Sequence, residues 1–378
     1  MSMLYFDHSA TTPVAPEVFE SMKPYLSDMF FNASSLYRGG RNAKTAIEEA
    51  RTSVAALVNA EAEEVVFTSG GTEADNMAII SGAAYGKEHG RTKLLISPIE
   101  HHAILESCEY LSRFGFETVF LPVDRYGRVD PDDVRRMADE NTALVSVMWV
   151  NNELGTIQDV FSICRFAHEA GALFHTDCVQ ALTNQNVDFK ALDADMMSVS
   201  SHKIYGPKGC GACIIKNDIE IAPFMHGGQQ ESGRRGGTEN VACIVGFGTA
   251  AEMMKQSRND DVENMKRRKA LVSDILSKAG AMINSPEDIT SPSVLNVAFK
   301  DVEAEGMLFY LGMEDMCVSM GSACNSKSVE PSHVIKAIGL PKDYERGCVR
   351  ISFGHGQSDE DCICLAERLV SLAKELKV

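Results

Sequence analysis

From about residue 43 to residue 209, short apolar runs alternate with segments whose apolar positions recur every three to four residues. That is the spacing of buried strands followed by amphipathic helices. The pattern predicts strands at residues 65–67, 94–97, 118–121, 144–150, 173–176, 196–200 and 211–215. Between them, Ala46, Ile47, Ala50, Val54 and Leu57 keep helical spacing, and a helix over 161–170 ends at Gly171, a residue suited to a left-handed cap. The alternation implies a large α/β domain, with a mainly parallel seven-stranded sheet between helices. Beyond Val241 the spacing stays helical through residues 255–269, where Lys, Arg, Asp and Asn crowd together, and this reads as a solvated helix linking domains. Strands at 294–299, 316–319 and 349–353, among helices at 332–338 and 361–376, then predict a smaller α+β domain. The division expected is residues 15–255 for the large domain, with 1–14 and 256–378 forming the small one. Neither an internal repeat nor a low-complexity tract interrupts this order.

Composition narrows the functional classes. With 44% hydrophobic and 24% charged residues, the 378-residue chain reads as an ordinary globular protein. A net charge of -17 opposes any sequence-independent hold on nucleic acid, which needs a basic surface. Residues 1–13 lack a basic stretch followed by an apolar one, and no apolar run reaches the roughly 18 residues of a membrane span, so a cytoplasmic protein without membrane contact is expected. Eleven scattered cysteines do not resemble a disulfide framework. Cys210 and Cys213 flank a Gly-rich turn without a second pair nearby, so they read as packed thiols, and no metal site is expected.

Candidate chemistry gathers at the carboxyl ends of the predicted strands, where open α/β sheets bind ligands. Lys203 follows the apolar run 196–200 and precedes the turn Gly206-Pro207-Lys208-Gly209, while Asp177 ends the run 173–176. An amine and a carboxylate so placed suit pyridoxal phosphate, with the lysine as imine-forming group and the aspartate as partner of the ring nitrogen. Taken singly, Lys203 also reads as a solvated loop residue and Asp177 as a helix cap. Thr68-Ser69-Gly70-Gly71-Thr72 passes from strand to helix, so that backbone N–H groups and a helix N-terminus face an anion, although a plain capped turn has the same sequence. His101 stands after the strand at 94–97, where a ring can stack on a flat heterocycle or serve only as a structural hydrogen-bonder. Asn152 and Gln180 offer amides to a phenolate-type oxygen.

These residues and others along the whole chain resemble the pyridoxal-phosphate-dependent cysteine desulfurases of the nitrogen-fixation and iron–sulfur-assembly type, within fold-type I and the class V aminotransferases. The N-terminal segment Asp7-His8-Ser9-Ala10-Thr11-Thr12-Pro13 and the turn Thr68 to Glu73 match the family's pattern. So do His101, Asn152, Asp177, Gln180 and the run Ser200-Ser201-His202-Lys203. Gly237-Thr238-Glu239-Asn240 matches a loop that in the family reaches the neighbouring subunit's cofactor phosphate, which implies a homodimer with Thr238 acting across it. Gly321-Ser322-Ala323-Cys324 followed by Glu330-Pro331-Ser332-His333 is similar to the catalytic-cysteine loop. A small-residue loop of this kind is also where a reactive thiol is accessible. Arg350 matches the arginine that grips the substrate carboxylate, a task suited to its planar fork.

The resemblance implies that L-cysteine is bound through Arg350 and Asn152, that Lys203 moves the Cα proton, and that His101 stacks on the ring. It also implies that Cys324 takes the sulfur as a persulfide, for delivery to an acceptor or scaffold protein of an iron–sulfur or thiolation pathway. Gly71, Thr72, Ser200, His202 and Thr238 are implied around the cofactor. A selenocysteine lyase of the same fold would use nearly the same cofactor residues, and an aminotransferase would not need Cys324. The chain departs from the family pattern at Phe31, Ala33 and Tyr37, where glycine, proline and histidine are usual, and at Cys178, Asn325 and His355. The first three touch the expected entrance rather than the cofactor residues.

Overall fold

The computed structural model describes residues 3–321 and 330–377, so Cys324 and Asn325 lie outside the described residues. Its central sheet has seven strands in the order Val65–Thr68, Gly211–Ile215, Met196–Ser200, Leu173–Asp177, Thr142–Ser146, Lys93–Ile96 and Glu117–Phe120. All neighbouring pairs are parallel except those made by Gly211–Ile215, which runs antiparallel to both of its neighbours. The six strands other than the Glu117–Phe120 edge are buried at every position, because helices cover both faces. On one face the helix Gly71–Glu88 packs Met77, Ala78 and Ala83 against Leu94, Leu144 and Met196. On the other, Ile47, Ala50 and Val54 of the helix Arg38–Val58 meet Phe247, Ala250 and Ala251 of the helix Val241–Lys278. These two helices cross closely: a β-carbon on Gly248 would stand 2.7 Å from Ala50 Cα.

A second apolar cluster joins Phe6, Leu295, Val297, Val349, Ile351 and Phe353 with Leu365 and Leu369 of the helix Asp359–Glu375. Here Val294–Ala298 pairs antiparallel with Cys348–Ser352 and with Met282–Ile283, while Leu4–Tyr5 pairs parallel with Met316–Cys317. The N-terminal segment continues past this pairing, with Asp7 bridged to Ser352, and so enters the site described below.

Two expectations are corrected. The strand read over 144–150 ends at Ser146, because Met148 N donates to the buried Glu100 carboxylate at 2.8 Å instead of extending the ladder with the strand Lys93–Ile96. The charged stretch 255–269 belongs to an unbroken 38-residue helix, Val241–Lys278, but it is not solvated all round. Arg258 is 9% and Lys269 4% exposed. Their polar ends reach neutral oxygens: Arg258 Nη1 donates to Gln185 O at 3.1 Å, and Lys269 Nζ to Ser291 O at 2.8 Å and Thr290 Oγ1 at 2.6 Å. Among the described residues no helix is long and apolar enough to cross a membrane.

Candidate active site

At the carboxyl ends of the parallel strands lies a cavity of about 240 Å³. Of the residues singled out from the sequence, Gly71, Thr72, His101, Asn152, Asp177, Gln180, Ser200, His202, Lys203 and Arg350 line it. Thr238 does not, and is exposed elsewhere on the same chain. Cys324 lies outside the described residues. Ser9 and Ala10 of the N-terminal segment complete the wall with Asp75, Met148 and Val179, which the sequence reading did not single out.

Lys203 closes a 3₁₀ turn, Ser201–Lys203, directly after the strand Met196–Ser200. Its Nζ donates to Ala10 O at 2.8 Å and to Ser9 O, so the N-terminal segment holds the amine at the cavity wall. The same Ser9 carbonyl accepts Gln180 Nε2 at 2.9 Å. Asp177 ends its strand, and its Oδ1 accepts Val179 N at 2.8 Å. Burial raises this carboxyl to about 6, against the opposing pull of the Val179 N–H and the Lys203 charge. Asp75, on the first turns of the helix Gly71–Glu88, is likewise pushed up, by burial and then by the neighbouring Asp177. It stands 3.9 Å from Nε2 of His175, whose imidazole burial holds at about 3 and therefore neutral.

His101 caps the helix His102–Ser112, its Nδ1 accepting Ala103 N at 3.1 Å. That contact places the ring proton on Nε2. Burial, then the nearby Lys203 charge, lowers the imidazole to about 4, so it is neutral at pH 7. The helix Gly71–Glu88 begins without a side-chain cap, which leaves its first N–H groups available to an anion. Arg350 is 1% exposed; its Nη1 donates to Asn152 O at 3.0 Å and its Nη2 pairs with Asp7 Oδ1 at 2.7 Å. Its Nε is buried and has no hydrogen-bond partner among the described residues. The Asp7–Arg350 pairing spans 343 positions and carries no local signal in the sequence. Asp75 was legible only as one polar position on a helix.

The segment around Thr238 is fastened to the helices Arg38–Val58 and Gly71–Glu88 by two ion pairs. Arg51 meets Glu231 through Nη1 to Oε2 at 2.7 Å and Nη2 to Oε1 at 2.9 Å, and Arg235 Nε meets Glu73 Oε1 at 2.8 Å. Cys178, Cys210 and Cys213 are buried, and burial raises each thiol. At the departures from the family pattern, Phe31 stacks on Phe30 with ring centres 4.8 Å apart, and His355 stacks on Tyr205 at 4.0 Å.

Comparison with known proteins gives this geometry its context. The family described as aminotransferase class-V matches residues 4–365. A protein named cysteine desulfurase IscS from Dictyoglomus turgidum is 41% identical over 376 residues, covering 99% of this chain and 95% of that protein. Another of the same name from Methanosarcina thermophila is 42% identical, covering 99% and 93%. Among solved structures, a NifS-like protein superposes with a TM-score of 0.93 at 32% identity, covering 99% of this chain and all of that one. A structure titled SspA in complex with cysteine gives 0.83 at 36% identity, covering 93% and 98%. At this identity and coverage the chain belongs to the class-V aminotransferase family, among its cysteine desulfurases.

Proposed function

We propose that the protein is a pyridoxal-phosphate-dependent cysteine desulfurase that converts L-cysteine to L-alanine and leaves the sulfur on Cys324 as a persulfide. The observation that carries the reading is the convergence on one cavity of an amine, a buried carboxylate, a neutral imidazole, an uncapped helix N-terminus and a buried arginine. The relatives named cysteine desulfurase favour sulfur removal over amino-group exchange.

The residues fit the cofactor. Ser200 Oγ is buried without a hydrogen-bond partner among the described residues, as a phosphate ligand would be. At Gly71 a β-carbon would stand 3.0 Å from Val179 Cγ2 and 3.5 Å from Ser200 Cβ, so glycine keeps the helix N-terminus open for close approach. When bound, pyridoxal phosphate supplies an electron sink for the electrons released at the substrate Cα. Gly71, Thr72, Ser200 and His202 would hold its phosphate, with Thr238 of a second subunit in a homodimer. Asp177 is ionised above about pH 6 and favours a protonated ring nitrogen. Asn152 and Gln180 would offer amides to the ring oxygen, and the His101 imidazole would face the ring.

Arg350 holds the substrate carboxylate, and with the amino group held at the cofactor this second point would orient Cα for proton loss. Lys203 Nζ takes that proton. The Cys324 thiolate attacks the substrate sulfur; the S–S bond forms as the Cβ–S bond breaks, and the electron pair of that bond stays on carbon, which is then protonated. L-cysteine and one thiol thus become L-alanine and one persulfide, and no outside oxidant is needed. An acceptor protein then takes the sulfur, and the proposed setting is the cytoplasm. The apolar cores support a division near residue 255: Met254 belongs to the first cluster and Met265 to the second, with one helix running between them. Borohydride reduction of the cofactor-loaded protein tests the reading, because it should fix the cofactor on the peptide containing Lys203. A Lys203→Ala protein that still captures the cofactor covalently would refute it.

A further inference from the structure

Glu153 is completely buried and has no part in the scheme above. A carboxylate taken out of water is stable only where donors surround it. Its Oε2 accepts Ser332 Oγ at 2.7 Å, and that hydroxyl also accepts Ile335 N at 3.2 Å, capping the helix His333–Ala337. Gly321 lies against the same oxygen: a β-carbon there would sit 2.7 Å from Oε2, and φ is 142°. Gly321 and Ser332 flank the segment that carries Cys324. A single buried oxygen therefore lies against both ends of that segment.

The turn that carries Glu153 is itself held firmly. Asn151 Oδ1 accepts Glu153 N at 2.9 Å and Leu154 N at 2.8 Å, Asn151 Nδ2 donates to Ile99 O at 2.9 Å, and Asn296 Nδ2 donates to Glu153 O at 3.2 Å. One residue earlier, the Asn152 carbonyl accepts Arg350 Nη1. Arg350 in turn exchanges backbone hydrogen bonds with Ser319, whose Oγ donates to Gly321 O at 3.0 Å. On the far side, His333 Nε2 is 2.9 Å from Glu100 O, next to His101. Each end of the segment is thus bonded to a residue adjoining the cavity or lining it.

We propose that Glu153 is a positioning residue, which bonds one end of the Cys324-bearing segment through Ser332 and packs against the other at Gly321, on the turn that also holds Arg350, and so governs delivery of the thiol to bound substrate. The proposal rests on the reading of Cys324 as the sulfur acceptor. It predicts an effect on turnover more than on substrate binding, since Glu153 touches the segment's ends and does not line the cavity.

The test uses full-length, cofactor-loaded protein as wild type, Glu153→Gln, Ser332→Ala, Ser332→Thr and Cys324→Ala, with L-cysteine. For Glu153→Gln and Ser332→Ala, kcat for alanine formation should fall about fivefold or more while KM stays within about twofold, as for a lost positioning contact. The rate at which iodoacetamide alkylates Cys324 in the cofactor-free protein should change by about threefold or more in both. Ser332→Thr, which keeps the hydroxyl, should restore both readings. Wild-type kcat and alkylation rates in Glu153→Gln and Ser332→Ala would overturn the proposal, as would a Ser332→Thr protein as impaired as Ser332→Ala. Persulfide formation surviving in Cys324→Ala would instead overturn the reading on which the proposal stands, a result the Glu153 and Ser332 variants cannot produce.

Discussion

Asp177 shows how one side chain's surroundings set its chemistry. Burial lifts its carboxyl to about 6, close enough to neutrality that modest acidification removes the charge that would favour a protonated pyridine nitrogen. Capture of pyridoxal phosphate by the cofactor-free protein should therefore weaken as pH falls through about 6, by an order of magnitude for each pH unit at most. Absorbance titrations across that range measure it, and Asp177→Asn should bind weakly and without the pH slope. Stability from this group runs the other way. Its folded-state value lies above the ordinary 3.8, so the cofactor-free fold is favoured as pH falls through that window. Individual roles of this kind were legible to different degrees. Lys203, Asp177 and His101 follow apolar runs, and Lys203 also precedes a glycine-rich turn. Asp7 gives no such sign: it meets Arg350 across 343 positions, and only the pairing of Leu4–Tyr5 with Met316–Cys317 and the Asp7–Ser352 bridge brings them together.

At the scale of elements, the helix Gly71–Glu88 does two jobs. Its buried stripe covers the sheet, and its uncapped start leaves N–H groups open to an anion. Gly71 lets both be satisfied, because any side chain would enter the gap between Val179 and Ser200. Gly71→Ala should keep the helix and most of the stability but bind pyridoxal phosphate at least about tenfold more weakly, since the added methyl intrudes on the phosphate cradle. Fluorescence or absorbance titration of the cofactor-free variant against wild type measures this. Elements were read from the sequence with similar unevenness. The strands at 65–67, 196–200 and 211–215 are mainly apolar runs, and each is found with its ends moved by at most one residue. The run at 144–150 looked like one long strand because apolar character continues past Ser146; what ends the strand is the Glu100 carboxylate taking Met148 N, a contact made across the sheet. Two-residue strands such as Met282–Ile283 are too short to leave a periodic signal.

The whole molecule is tied together by the 38-residue helix Val241–Lys278, whose buried face joins both apolar clusters. Its charged stretch suggested a solvated linker, because composition alone does not say which long side chains bury their stems and turn their ends to carbonyls. Lys269 is the clearest case. Burial lowers it to about 7, with Glu287 opposing weakly, and its partners are neutral oxygens. Between about pH 7 and the ordinary 10.5 the unfolded chain binds this proton and the folded chain does not, so stability should rise with pH across that window. Below it both states are protonated, and the full burial cost is present. Urea unfolding at pH 7 and pH 9 should give wild type a more favourable change with pH than Lys269→Met, over the loss that the raised buried thiols contribute to both; equal pH slopes would contradict the assignment.

The most direct measurement is a mass spectrum of the peptide carrying Cys324, taken from cofactor-loaded protein mixed with L-cysteine and no other thiol. The account predicts that this peptide gains one sulfur atom as an equivalent of alanine appears, and that a Cys324→Ala protein forms neither persulfide nor stoichiometric alanine. Alanine and sulfide released at wild-type rates by Cys324→Ala, with no sulfur added at this position in wild type, would contradict it.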